Sequence, residues 1–149
     1  MDNPDDWDPL RHPGHYFSRI ARGLTRVGDV RLRNLGLATA QLPVLTALKD
    51  GGELSQKELA KWAKVEQPTM AQMLSRMERD GLVRRVPDPE DKRSHLISLT
   101  DATVEKLPAG RAILRQGNSE MTKGLTDDEI KTLVSLLRHV LENVDSMEP

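Results

Sequence analysis

The sequence predicts a mainly helical protein with one small β hairpin. Apolar residues recur at intervals of three and four along most of the 149 residues, which is the period of a helix face. Aromatic residues make up 3% of the chain and runs of β-branched residues are few, so strands are expected to be short. A chain of this length forms one domain with a buried core and needs no disulfide to hold it.

A long first helix is predicted to end at Gly36, because glycine readily adopts the left-handed conformation that often follows a helix. The helix carries an apolar stripe and a parallel basic stripe. The apolar stripe is Phe17, Ile20, Leu24 and Val27, and the basic stripe is His15, Arg19, Arg22 and Arg26. A second helix is expected to open at Thr39 and to close at Asp50-Gly51-Gly52.

Two further helices separated by a tight turn come next. Ser55 and Glu58 have the spacing of a capping box that starts the shorter helix. The break at Val65-Glu66-Gln67-Pro68 leads into a helix from Pro68 to Asp80, and Gly81 supplies its left-handed cap. This helix is two-sided, with Met70, Met73, Leu74 and Met77 on one face and Thr69, Gln72, Arg76 and Arg79 on the other.

A hairpin is predicted directly after these helices. Its strands are Leu82–Val86 and His95–Leu99, and residues 87–94 form an exposed, polar tip. Lys92 and Arg93 project from this tip beside three acids, Asp88, Glu90 and Asp91. We expect Asp91 to orient an inserted Arg93; the alternative is a turn closed by an internal ion pair.

The C-terminal part is predicted to contain two more helices. Thr100 starts the first, which should bend or break near Pro108, and a capping box at Thr126–Glu129 starts the second. The last helix has a broad apolar face: Ile130, Leu133, Val134, Leu137, Val140, Leu141 and Val144. That face is broader than one domain of this size covers, so we expect an obligate dimer.

The composition argues against several classes of protein. The chain has no Cys, so disulfides, thiolate zinc sites and cysteine nucleophiles are excluded. A nucleophile beside a base, paired acids and a phosphate loop are also missing from the sequence, so we expect neither an enzyme nor a cofactor. His12 and His15 are separated by Pro13-Gly14, and we expect no metal site.

The N-terminus is acidic where a secretory signal requires a positive segment and an apolar run. The longest apolar stretch, residues 35–48, is interrupted by polar residues and is shorter than the ~20 apolar residues that span a bilayer. We therefore expect a cytoplasmic protein without a membrane span. The net charge of the chain is -1, but it is unevenly distributed. Residues 11–49 contain seven Lys and Arg and a single acidic residue, Asp29.

Helix, turn, helix and basic-tipped hairpin in this order indicate a DNA-binding unit. Gln72 can bridge N6 and N7 of adenine, Arg76 can reach guanine or a phosphate, and Thr69 allows a close approach. The alternative is a winged-helix module that binds only protein, which predicts an apolar or acidic recognition face.

The same residues carry a resemblance to a known family. EQPT at 66–69, LxRMExxGLVxR at 74–85, and Asp91-x-Arg93 followed by Leu99-Thr100 resemble the MarR/SlyA family of winged-helix transcriptional regulators. In one respect the chain differs, because many members have Gly where Thr103 stands. Because of this difference, the resemblance does not predict how the following helix begins.

The resemblance implies a winged helix-turn-helix fold with flanking dimerisation helices. It divides one continuous domain into an N-terminal arm and first dimerisation helix (1–36), a DNA-binding region (37–100) and C-terminal dimerisation helices (101–149). It also implies a homodimer that binds a palindromic operator in double-stranded DNA and is released by a small anionic or phenolic ligand.

The resemblance and the chemistry together give the candidate site residues. The hairpin at residues 82–99 is the wing of such a fold. The DNA-contacting set is Ser55, Gln56, Gln67, Pro68, Thr69, Gln72, Arg76, Lys92 and Arg93, with Arg85 and Asp91 supporting the wing. The ligand pocket is expected at His15, Tyr16, Arg19 and Arg22. The dimer interface is expected at Tyr16, Phe17, Ile20, Ile130, Leu133, Leu137, Val140 and Leu141.

Overall fold

The computed structural model describes residue 3 and residues 5–149, so Met1, Asp2 and Pro4 of the predicted N-terminal arm lie outside the described residues. The helices are α1 Pro13–Leu32, α2 Leu42–Leu48, α3 Gln56–Ala63, α4 Gln67–Arg79, α5 Asp101–Met121 and α6 Asp127–Ser146. The strands are β1 Leu54–Ser55, β2 Val83–Pro87 and β3 His95–Leu99. The predicted fold class, mainly helical with a small β element, is confirmed.

The chain divides into two compact units, one ending at Ile113 and the other running from Leu114 to Pro149. The first unit contains a continuous apolar core to which α2, α3, α4, β2 and β3 all contribute. Leu48, Met70, Leu74, Met77 and Ile97 are fully buried there. The second unit contains the end of α5 and the whole of α6.

The three strands form an antiparallel sheet in the order β1-β3-β2. In the β2–β3 hairpin, Val83 pairs with Leu99 and Pro87 with His95, as the predicted hairpin requires. Strand β1 adds to the other edge of β3, where Leu54 pairs with Ile97. The sequence did not predict β1, because a strand of two residues is too short to show an alternating pattern.

Glycines and capping residues end or start the helices largely as predicted. After α1, a 3-10 turn at Arg33–Leu35 leads to Gly36, whose φ of 69° is left-handed. Gly81 has a φ of 75° after α4. At the start of α6, the Glu129 N–H donates to Thr126 Oγ1 (3.1 Å) and the Thr126 N–H donates to Glu129 Oε1 (2.9 Å), which completes the predicted capping box.

The helix was predicted to bend or break near Pro108; it does not break there, because α5 continues from Asp101 to Met121. Proline removes one backbone N–H, but the residues around it hold the helix in place. Thr103, Leu107 and Gly110 are buried on one side of α5. A Cβ at Gly110 would lie 3.7 Å from Leu37 Cδ1, which is ordinary van der Waals contact, so α5 packs against Leu37 at this point. Packing therefore outweighs the one missing hydrogen bond.

Helices of the described residues are all too short or too polar to cross a membrane.

Candidate nucleic-acid interface

The turn between α3 and α4 is made by the backbone of Lys64. This residue has a left-handed φ of 58°, and the Val65 N–H donates to the Ala60 carbonyl across it (3.1 Å). The bond is the one that typically closes a helix C-terminus in front of a sharp turn. The sequence missed this role, because lysine seldom adopts the left-handed conformation.

Both helices of this unit start close to the predicted positions. At α3, Ser55 Oγ accepts the Glu58 N–H (3.1 Å), which forms the first half of the predicted capping box. Helix α4 starts at Gln67, one residue before the prediction, and the extended residue in front of it is Glu66. Pro68 lies within the first turn, where its missing N–H has no helical partner to lose.

Helix α4 has a buried face and an exposed face. Met70, Leu74 and Met77 are fully buried, while Met73 is half-buried. All five predicted DNA-contacting residues of α4 are exposed: Gln67, Pro68, Thr69, Gln72 and Arg76. Ser55 and Gln56 are half-buried at the start of α3. The structure therefore presents one polar and basic helix face, not the apolar or acidic face of a protein-binding module.

The tip of the hairpin is folded by its own carboxylates. Asp88 Oδ1 accepts the Glu90 N–H (2.9 Å), and Asp91 Oδ1 accepts the Arg93 N–H (3.0 Å). The Asp88 N–H also donates to the Ser94 carbonyl (3.1 Å), which closes the loop. These bonds account for acids at the tip of an element that carries Lys92 and Arg93.

Asp91 thus positions Arg93 by accepting the backbone N–H of Arg93, and not by contacting the Arg93 guanidinium group. This differs from the charge-assisted contact that we expected. Among the described residues, the ion pairs involve neither Lys92 nor Arg93, and both side chains are exposed. An internal ion pair therefore does not close the turn. Both cations of the tip are therefore exposed to solvent.

Two contacts join the hairpin to the helices beside it. Arg85 Nε donates to Glu78 Oε2 (2.6 Å), which links β2 to the last turn of α4. Thr103 is completely buried, and its hydroxyl donates to the Leu82 carbonyl (2.8 Å). Thr103 therefore holds the start of α5 to the beginning of the hairpin. The sequence singled it out only as a difference from the related family.

The predicted ligand-pocket residues lie on α1. His15, Arg19 and Arg22 are spaced so that they share one face of the helix, and both arginines are exposed. The Tyr16 hydroxyl donates to the Leu10 carbonyl of the N-terminal arm (2.8 Å). A groove with a volume of about 580 Å³ lies elsewhere, along α6, beside Lys131, Ser135, Arg138 and His139.

The predicted dimer-interface residues are uncovered in the single chain. On α1, Tyr16, Phe17 and Ile20 are 47%, 37% and 50% exposed. On α6, Leu133, Leu137 and Leu141 are exposed, and Ile130 and Val140 are half-buried. Both helices therefore present apolar side chains to solvent.

A helix-turn-helix with a polar exposed second helix, followed by a hairpin that carries free cations at its tip, defines a winged helix-turn-helix DNA-binding protein. Residues 37–95 match the model of the MarR family. MarR from Escherichia coli is 34% identical over 129 residues, which cover 86% of this chain and 90% of that protein. The chain belongs to the MarR family and is a transcriptional regulator.

Two further comparisons agree with this assignment. The transcriptional repressor NicR from Pseudomonas putida is 30% identical over 138 residues, which cover 92% of this chain and 87% of that protein. The crystal structure of an E. coli MarR mutant in complex with operator DNA has a TM-score of 0.78 at 31% identity. That match covers 86% of this chain and 92% of the other.

Proposed function

We propose that this chain acts as a homodimeric repressor that binds a palindromic operator and leaves it when a small anionic or phenolic molecule binds. The observation that carries the proposal is the exposed face of α4 beside a wing whose Lys92 and Arg93 are free of carboxylate partners in the described part of the chain. A repressor of this kind acts where the chromosome lies, which in the bacteria of its relatives is the cytoplasm.

Each element has its own part in binding. Helix α4 enters the major groove, where Gln72 binds adenine through N6 and N7, and Arg76 binds guanine or a phosphate. Thr69 makes a short contact near the start of the helix. The wing lies over the backbone and places Arg93 in the adjacent minor groove, where a guanidinium group is attracted by the negative potential.

Dimerisation is supported by the uncovered apolar residues of α1 and α6. Exposed Phe17, Ile20, Leu137 and Leu141 lose contact with water when a second copy covers them. A symmetric dimer carries two α4 helices and therefore binds two inverted half-sites. These half-sites lie one helical turn of DNA apart, ~34 Å, or a whole multiple of it.

The proposed effector site is the basic face of α1. His15, Arg19 and Arg22 provide donors for a carboxylate, and an aromatic carboxylate such as salicylate adds a ring that can contact neighbouring apolar residues. Such a ligand releases DNA only if it binds more tightly to the dimer whose recognition helices are wrongly spaced. A coupling of ~1–3 kcal/mol gives about 5- to 150-fold release.

Selection of duplexes from a random-sequence library with wild-type protein tests the DNA-binding part. The proposal predicts an inverted repeat in the selected duplexes and one dimer per duplex by light scattering. Selected sequences without an inverted repeat, or a stable monomer at micromolar concentration, would contradict it.

Salicylate titrated against the complex of wild-type protein and selected duplex tests the effector part. Release below millimolar salicylate is expected, and Arg19→Ala should blunt it while leaving DNA affinity unchanged. Lys49→Ala removes an exposed cation outside the proposed pocket and should respond like wild type. An Arg19→Ala response equal to that of wild type would remove this pocket from the mechanism.

A further inference from the structure

The helical segment that opens the DNA-binding region has no cap of its own. A 3-10 turn at Thr39–Gln41 leads directly into α2, and the residue in front of it is Ala38. A methyl side chain cannot accept a hydrogen bond, so the first N–H groups of this segment need another partner.

The partner is a carboxylate from α1. Asp29 Oδ1 accepts the Thr39 N–H (2.8 Å) and also the Thr39 hydroxyl (2.7 Å). The cap is thus supplied by a residue ten positions earlier in the sequence, on a different helix. These bonds favour the ionised carboxylate, and the Thr39 N–H, followed by the Thr39 hydroxyl, lowers the pKa of Asp29.

The backbone of α1 also packs closely against Thr39. A Cβ at Gly28 would lie 2.5 Å from Thr39 Cγ2, a distance that real side chains do not tolerate. Asp29 and Thr39 are both half-buried. Glycine at position 28 therefore lets α1 approach closely enough for the carboxylate beside it to reach the start of the next segment.

We propose that Asp29 is a positioning residue. It fixes the orientation of the DNA-binding region relative to α1, and thereby the spacing of the two α4 helices in the dimer. The inference rests on the proposed dimer, in which α1 belongs to the interface. The direct chain connection runs through Gly36, which has a left-handed backbone, and the Leu37 N–H donates to the Leu32 carbonyl across it (3.2 Å). The two bonds from Thr39 to Asp29 add a second link between α1 and the segment that follows this connection.

The experiment must separate positioning from simple capping. Ala38→Ser gives the segment a hydroxyl that can accept from the Ala40 or Gln41 N–H, and Gln41 Oε1 already accepts the Ala38 N–H (2.9 Å), so the substitution offers a local capping box. In the double variant Asp29→Ala with Ala38→Ser, this local cap offsets the lost bond to the Thr39 N–H, which is left to water, while the link to α1 is gone. Its midpoint of thermal unfolding should lie within about 4 °C of wild type.

The probes are the duplex selected by wild-type protein and two derivatives with one base pair inserted or removed at its centre. The readout is the ratio of the Kd for a derivative to the Kd for the parent duplex, by fluorescence anisotropy. Wild type should bind the parent duplex clearly more tightly than either derivative, and in the double variant the ratio should be lower by about fivefold or more.

Gly28→Ala should also lower the ratio, because the added methyl pushes Thr39 away. Thr39→Ser keeps both donors and should retain the wild-type ratio.

A wild-type ratio in the double variant would overturn the inference, because Asp29 would then be only a cap. If the double variant does not fold, Thr39→Val provides the test, since it removes the hydroxyl bond alone and should lower the ratio less. An unchanged ratio in Thr39→Val and Gly28→Ala together also overturns the inference. Failure of wild type to select any inverted repeat would instead overturn the proposed function, and this inference with it.

Discussion

The DNA-binding region and helix α6 differ in the burial of their apolar residues. Of the buried apolar residues in the described chain, all but Leu32 and Leu107 lie between Leu37 and Leu99. Helix α6 buries none of its own, although Leu136, Leu137, Leu141 and Val144 are among its side chains. The region that contacts DNA is therefore packed within one chain, whereas α6 needs a partner. Substitutions in the two regions should therefore affect different properties of the protein: dimerisation for α6 and DNA binding for the DNA-binding region.

The largest effect is expected from a charge on the apolar face of α6. Leu137 is 40% exposed in the single chain, and Leu137→Asp would bury an unpaired carboxylate in the proposed dimer. We expect a loss of about 3 kcal/mol or more, which raises the dimer Kd more than 100-fold. Analytical ultracentrifugation measures this change. Ser135→Asp, an exposed position on the polar side of α6, is the matched control and should remain dimeric.

A change at the wing should act on DNA alone. Arg93→Ala removes an exposed cation and should weaken operator binding by about 1–3 kcal/mol while the dimer persists. The slope of log Kd against log salt should also decrease, because fewer counterions are released from DNA. Equal affinity of Arg93→Ala and wild type across a salt series would exclude the wing from the mechanism.

The effect of a substitution on α4 should be confined to one base pair in each half-site. Gln72→Ala should also cost about 1–3 kcal/mol, but mainly at one position in each half-site. Binding to operators substituted at each position in turn measures this selectivity. Uniform weakening across all positions would show that Gln72 contacts the DNA backbone and not a base; because the glutamine amide is uncharged, the salt slope should stay unchanged in either case.

A smaller and opposite effect is expected at the turn of the DNA-binding unit. Lys64 has a left-handed backbone, so Lys64→Gly relieves steric strain and should raise the free energy of unfolding by about 0.5–1 kcal/mol. Lys61→Gly, inside α3, should lower it by about 1 kcal/mol. Urea denaturation compares the two. Destabilisation by both would mean that the lysine side chain at 64 stabilises the turn by more than the strain costs.

The smallest effect concerns pH at the contact between α1 and the winged region. The Thr39 N–H and hydroxyl hold the pKa of Asp29 below its ordinary value of 3.8. The stability from the ionised form is therefore fully present above that value and is lost as the pH falls through the lowered pKa. The difference in unfolding free energy between wild type and Asp29→Asn should be constant above about pH 5 and shrink in more acidic solution. A difference that stays constant down to the acid transition would contradict this assignment.

Patterns that depend on neighbours in sequence were predictable. The left-handed glycines at 36 and 81, the Thr126 cap and the two faces of α4 each follow from a spacing or a residue type. Contacts between distant residues were not. The bond from Asp29 to Thr39, the buried hydroxyl of Thr103 and the pairing of β1 with β3 depend on how the elements meet in space. Pro108 stays helical for the same reason, because tertiary packing outweighs a local preference.

The carboxylates that fold the wing tip have a consequence for the proposed contact with DNA. Ordering the backbone of a flexible loop costs roughly 1–2 kcal/mol of conformational entropy per residue, but Asp88 and Asp91 already order this tip in the free protein. On binding, the freedom that remains to be lost is mainly that of the Lys92 and Arg93 side chains, about 0.5–1.5 kcal/mol each. In the proposed complex, the wing therefore binds as a preorganised element. A different side chain at position 93 would change its reach into the groove without refolding the loop beneath it.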